Sequence, residues 1–159
     1  MRLNLGCGND IRDGYINVDL YNLDSRVIRV DLNVFPYPFV NDSFDEIIIS
    51  NTLSHLDDPY RVLKECDRLL KCGGLLVVNA PTIHSALCEK RSFHGRDYLC
   101  TMYSKKKANV DYYCFDYTLV SIDKIRRHGW ELLISIWDRV RDFWNCVFYR
   151  SYVWRLKKN

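Results

Sequence analysis

Nowhere in the sequence do about 18 apolar residues run together, so no membrane-spanning helix is expected. No basic leader followed by a long apolar stretch opens the chain. An apolar strand pattern starts at once, and a secretory signal is not expected. Neither sign of charge dominates: the formal net charge is only +3, which gives no strong signal for a polyanionic partner. Close cysteine pairs of the C-x-x-C kind are also missing. The seven cysteines, Cys7, Cys66, Cys72, Cys88, Cys100, Cys114 and Cys146, are odd in number and irregular in spacing. Reduced thiols in a cytoplasm are therefore expected rather than a disulfide framework. His84, Cys88, His94, Cys100 and Cys114 crowd one segment, but without a close ligand pair no metal site is expected.

What is present is 159 residues, 48% hydrophobic and 27% charged, enough for one domain with its own core. Short apolar segments alternate with turns and helical patterns, which predicts an α/β sheet with crossovers. Arg2 to Leu5 reads as a first strand, Tyr15 to Asp19 as a second and Arg26 to Val30 as a third. Asp45 to Ser50 reads as a fourth, and its run Ile47-Ile48-Ile49 suits a strand covered on both faces. Asp58 as N-cap and Pro59 at the first helical position then open a helix. Val62, Leu63, Cys66, Leu69 and Leu70 form its apolar stripe. Gly73-Gly74 is expected to stop that helix, and Leu75 to Val78 to form the fifth strand.

Residues 82–117 lack clear periodicity and interleave Tyr98, Tyr103 and Tyr112 with Arg91, Arg96 and Lys105-Lys106-Lys107. An irregular stretch of that length inside one domain points to function, and a substrate cap is expected there. Its aromatics could stack on a ring while its cations neutralise a phosphate or carboxylate. The same composition suits single-stranded nucleic acid, which leaves an RNA partner open. Thr118 is expected to cap a short helix carrying Leu119, Ile122 and Ile125 and ending at Gly129. Trp130 to Trp137 and Trp144 to Trp154 read as two antiparallel strands.

The chemistry is concentrated at the first strand ends. Leu3-Asn4-Leu5-Gly6-Cys7-Gly8-Asn9 is a strand running into a glycine turn, where the backbone can approach a ligand closely. Asp19 ends the second strand, at the edge where open parallel sheets bind ligands, and its carboxylate can accept from ribose hydroxyls. Asp31-Leu32 follows the third strand, where an acceptor and a backbone N–H could read an adenine edge. Each feature alone is compatible with an ordinary turn or a solvated charge. Together they describe a nucleoside site.

The segments Leu3 to Gly8, Ile16 to Leu20, Ser43 to Ile48, Asn51 to Pro59 and Leu70 to Gly74 resemble successive motifs of one family. That family is the class I S-adenosylmethionine-dependent methyltransferases, in the branch called methyltransferase type 11. The resemblance covers residues 2 to 81 well and the C-terminal part only in outline. It implies a Rossmann-like, seven-stranded, mostly parallel sheet with an antiparallel last strand, flanked by helices. It implies S-adenosylmethionine as cofactor, with Gly6, Cys7 and Gly8 around the methionine portion. Asp19 would hold the ribose, Asp31 and Leu32 the adenine, and Ser50 and Asn51 would line the floor near the sulfonium. Leu5, Asn9 and Leu20 complete the implied cofactor site. The third glycine of the fuller turn is missing, and only ten residues separate Gly8 from Asp19, so the usual first crossover helix must shrink to a turn. The same departures argue against a dinucleotide dehydrogenase, whose fingerprint needs that glycine and an acid about twenty residues on.

His55 is the first candidate for a general base, because neutral imidazole near pH 7 suits the work, though it could equally pack under its loop. His84 and His94 are weaker candidates. Ser50-Asn51-Thr52-Leu53 stands where an Asn/Asp-Pro-Pro-aromatic motif would hold a base amino group, and the Pro-Cys pair of cytosine-carbon enzymes is absent. DNA bases are thus disfavoured. Methyl transfer to an oxygen or nitrogen of a small metabolite or sugar is the leading expectation. A non-catalytic partner subunit, an RNA-binding or RNA-modifying protein and a homo-oligomer stay open.

Overall fold

A computed structural model describes residues 1–81, 117–126 and 149–159. In strand β1 (Arg2–Leu5), Leu3 and Leu5 are fully buried on one face and Asn4, between them, turns to the other. Strand β2 (Ile16–Asp19) lies parallel to β1, and β3 (Val27–Arg29) parallel to β2. On the opposite side of β1, β4 (Phe44–Ser50) and then β5 (Leu70–Pro81) continue the parallel run. Strands β6 (Tyr117–Arg126) and β7 (Tyr149–Lys158) complete the sheet in the order β3-β2-β1-β4-β5-β7-β6. β7 runs antiparallel to both its neighbours, as the family resemblance implied. Ile47, Ile48 and Ile49 are all buried, which fits a strand covered on both faces.

Helix α1 (Pro59–Leu69) starts where its sequence signals put it. The Asp58 carboxylate accepts a 3.0 Å hydrogen bond from the Arg61 N–H, satisfying one of the orphan donors of the first turn. Val62, Leu63, Cys66 and Leu69 are fully buried against Leu3, Leu5, Ile47 and Ile49. At its other end the Lys158 ammonium donates to the carbonyls of Asp67 and Leu70, at 2.6 and 2.8 Å. A cation at the negative end of the helix ties β7 to α1.

Several sequence expectations need correction. The helix ends at Leu69 without glycine: Leu70 is already extended and paired with Phe44 in β5. Gly73, at φ +79°, serves a register shift inside the strand, between the pairs Phe44–Leu70 and Glu46–Leu75. Residues 118–125 are not a helix but part of β6. Leu119 meets Leu156 and Asp123 meets Val153 across the antiparallel pair with β7, and that ladder outweighs a three-residue helical stripe. Tyr117 opens β6 as a buried residue. The last strand extends to Lys158, four residues past Trp154. Residues 82–116, His84, His94, the 130–137 segment and Gly129 lie outside the described residues.

α1 is the only α-helix among the described residues, fewer than the flanking helices the resemblance implied. Residues 6–15, all described, carry the chain from β1 to parallel β2 by turns alone. A loop packed on a sheet must satisfy its backbone polar groups, and two buried asparagines do so. Asn17 accepts from the Arg12 N–H at 2.9 Å and donates back to the Arg12 carbonyl at 3.0 Å. Asn4 donates to the Asp10 carbonyl at 2.7 Å and to Asn17 at 3.0 Å. Asn17→Ala is expected to lower stability by about 1–2 kcal/mol, since buried partners lose their hydrogen bonds. Urea unfolding would show it as a lower midpoint, and an unchanged midpoint would refute the role.

Cys7, Cys66 and Cys72 are free thiols, the first two buried. No described helix is long and apolar enough to cross a membrane.

Candidate cofactor cleft and active site

Strand order reverses beside β1: β2 and β3 lie on one side, β4 and β5 on the other. In open parallel sheets, the crevice beyond the strands' carboxyl ends at such a point is where ligands bind. A cleft of about 550 Å³ opens there, within the roughly 300–1,000 Å³ usual for small-molecule sites. Gly6, Cys7, Gly8, Asn9, Asp19, Leu20, Asp31, Leu32, Ser50 and Asn51 all line it. Of the residues implied by resemblance, Leu5 alone does not: its side chain is fully buried in the core below. His55 lies on the same wall, at the end of the 3₁₀ turn Leu53–His55, with an exposed side chain.

The glycine turn shows why two glycines are needed. Gly6 adopts φ +65°, and a Cβ there would fall 2.3 and 2.4 Å from Thr52 Cγ2 and Oγ1. Gly8 adopts φ +49°, but a Cβ there would meet no protein atom within 4 Å. The first glycine admits protein and the second leaves space at the cleft. Cys7, between them, is buried. Burial, and next the charge of Asp19, push its thiol pKa up, so it packs as a neutral side chain.

Asp19 is built into the turn. One carboxylate oxygen accepts from the Gly8 N–H at 2.9 Å, and the other from the N–H groups of Tyr21 and Asn22, at 2.8 and 3.2 Å. Burial alone would raise its pKa. The three bonded N–H groups of Tyr21, Gly8 and Asn22, with the Leu20 backbone adding to their effect, outweigh burial and hold the carboxyl below its ordinary value. A carboxylate offers about four acceptor positions, so one remains for a ligand hydroxyl unless Gly8 yields its own.

Thr52 was not singled out from the sequence, yet it joins the two halves of the cleft. Its hydroxyl lies 3.1 Å from the Gly6 carbonyl and 3.0 Å from that of Ser50, and its carbonyl accepts from the His55 N–H at 2.9 Å. Asn51, at φ +54°, is held by a 2.8 Å bond from its N–H to the Asn79 carbonyl. Its side-chain oxygen is buried and has no hydrogen-bond partner among the described residues, an unmet acceptor beside the cleft. An open glycine, an ionised acid with an acceptor position to spare and an unmet amide oxygen on one wall suit a polar nucleoside ligand.

Residues 7–78 match the family described as "Methyltransferase domain". Among solved structures, the chain is similar to an S-adenosylmethionine-dependent methyltransferase from Archaeoglobus fulgidus. That likeness has 17% identity and a TM-score of 0.65, over 99% of this chain and 85% of the other. An S-adenosylmethionine-dependent methyltransferase from Mesorhizobium loti follows, at 14% identity and a TM-score of 0.60, over 99% and 90%. A further likeness is to a chain from the complex of the Haloferax volcanii Trm112 methyltransferase activator with a methyltransferase. It has 14% identity and a TM-score of 0.58, over 99% and 81%. No curated protein matches the sequence significantly. The family match covers less than half of the chain, and the structural likeness carries the fold: the chain has the fold of these methyltransferases, and its residues 7–78 are similar to a methyltransferase domain.

Proposed function

We propose that the chain transfers a methyl group to an oxygen or nitrogen of a small metabolite or sugar, with the donor held in the cleft above Gly6 to Gly8. The supporting observation is that the glycine turn, Asp19, Asp31 and the Ser50–Asn51 end of β4 line one cavity. Gly6, Cys7 and Gly8 surround the methionine portion in this reading, with Asn9 beside them and Leu5 packed in the core below. Asp19 and Leu20 hold the ribose, Asp31 and Leu32 face the adenine, and Ser50 and Asn51 close the floor. When bound, the cofactor supplies a methyl group on a sulfonium, open to in-line attack. The chain's part is chiefly alignment, because holding two reactants in register removes much of the entropic barrier.

His55 takes the proton from acceptors that must lose one, and residues 82–117 cap the substrate. The His55 side chain borders the cleft and is open to an incoming acceptor. His55→Gln is expected to slow turnover while leaving cofactor affinity unchanged; a parallel loss of affinity, or no loss of turnover, removes the base assignment. A reducing cytoplasm fits the free thiols Cys7, Cys66 and Cys72.

A second reading is a partner subunit that keeps the fold, favoured by the likeness to a chain from an activator complex. Calorimetry with S-adenosylmethionine and its demethylated product tests the cofactor site directly. Turnover on a panel of metabolites, glycans and RNA then separates enzyme from subunit. Cofactor binding without turnover on any member favours the subunit.

A further inference from the structure

Gly8 is gripped at both of its peptide groups, by Asp19, the Cys7 thiol and Asn22, and of these Asn22 alone is not assigned to the cofactor. Its N–H donates to Asp19. Its carbonyl accepts from the side-chain amide of Asn22, in the loop between β2 and β3. Asn22 itself is fixed on two further sides. Its N–H donates to Asp19 Oδ1 at 3.2 Å, and its Oδ1 accepts from the Asp24 N–H at 2.8 Å. The Asp24 carbonyl in turn accepts from the Val27 N–H at 3.0 Å, at the start of β3. The amide of Asn22 is thus the strut between the β3 side of the sheet and the glycine turn.

The strut answers a specific need. Gly8 holds φ +49° with open space where a side chain would be, so side-chain packing does not fix its conformation. No helix follows to anchor the turn, since residues 9–15 are turns and coil. A glycine freed of one grip can sample many backbone conformations. We infer that Asn22 is a positioning residue for the cofactor's amino-acid portion: its side-chain amide holds the Gly8 carbonyl so that the glycine turn is set before ligand arrives. The inference rests on the proposed placement of the methionine portion at Gly6 to Gly8. Asn22 touches no reacting atom and is not catalytic.

The chemistry predicts a split between ligands. Asn22→Ala and Asn22→Asp both keep the backbone N–H that supports Asp19, and both lose the donor to Gly8. Asn22→Asp is nearly isosteric and also sets a carboxylate against the Gly8 carbonyl, so it should be the weaker binder. Adenosine, which needs Asp19, Asp31 and Leu32 but not the turn, should bind all three proteins alike. S-adenosylhomocysteine should lose about tenfold in Asn22→Ala, the equivalent of one lost hydrogen bond.

The experiment is calorimetry of wild type, Asn22→Ala and Asn22→Asp with adenosine and S-adenosylhomocysteine, with amide hydrogen exchange of Gly8 in the free proteins. Selective loss for S-adenosylhomocysteine, with faster Gly8 exchange, is the expected result. Equal loss for both ligands, or unchanged binding and exchange, overturns the positioning role. Failure of wild type to bind either ligand overturns the cofactor reading itself, and the inference falls with it. Faster Gly8 exchange in the variants beside a wild type that binds adenosine only would refute the placement of the methionine portion while leaving the strut intact as a structural device.

Discussion

Gly6→Ala is expected to destabilise the protein by about 3 kcal/mol, more than a hundredfold in the folding equilibrium. Two costs combine. Alanine at φ +65° carries the left-handed penalty of about 1–2 kcal/mol. Its Cβ would also overlap Thr52, whose own Cβ lies 2.9 Å away and cannot move without backbone movement. Over-packing of that kind costs about 1–3 kcal/mol more. Gly8→Ala is the control: it bears the left-handed penalty but meets no atom, so about 1 kcal/mol is expected. Chemical denaturation of both variants measures the difference. Equal destabilisation would mean that the Thr52 contact contributes nothing. Thr52→Ala in the Gly6→Ala background removes the two closest atoms and should restore part of the loss.

Asp19→Ala is expected to weaken S-adenosylmethionine binding by about 1–3 kcal/mol, or about five- to 150-fold. The change removes the acceptor proposed for the ribose and releases the N–H groups of Gly8, Tyr21 and Asn22 together. Wild-type affinity in calorimetry of the variant would refute the site. The same residue sets a pH dependence. Its folded pKa is depressed below the ordinary 3.8, so its contribution to stability is complete above about pH 4 and is lost as pH falls through the folded value. Wild type should therefore lose more stability below pH 4 than Asp19→Ala does. Parallel acid-unfolding curves would mean that the carboxylate gains nothing from its three donors.

Legibility followed the range of the interactions. The turn at Gly6 to Gly8, the acids Asp19 and Asp31 and the Asp58–Pro59 helix start are written in neighbouring residues, and each falls where its local signal put it. The 118–125 segment misled because Leu119, Ile122 and Ile125 match a helical period over too few residues to decide. β-Branched Thr118, Val120 and Ile122 at alternate positions were the competing signal, and pairing with β7 settled it. The end of α1 was misread for a similar reason: the paired glycines mark a backbone irregularity, which here belongs to a strand. Asn4, Asn17, Asn22 and Thr52 left no pattern at all. Each acts through side-chain bonds to backbone brought near by the fold, and spacing along a chain does not record that.

Thr52 stands between two parts that chemistry would want to move together. One side of it rests on the Gly6 carbonyl, and the other carries the backbone of His55. The backbone of the glycine turn and the backbone of His55 are therefore joined through one residue, so the spacing between the two is set by Thr52 and by no movement of a separate domain.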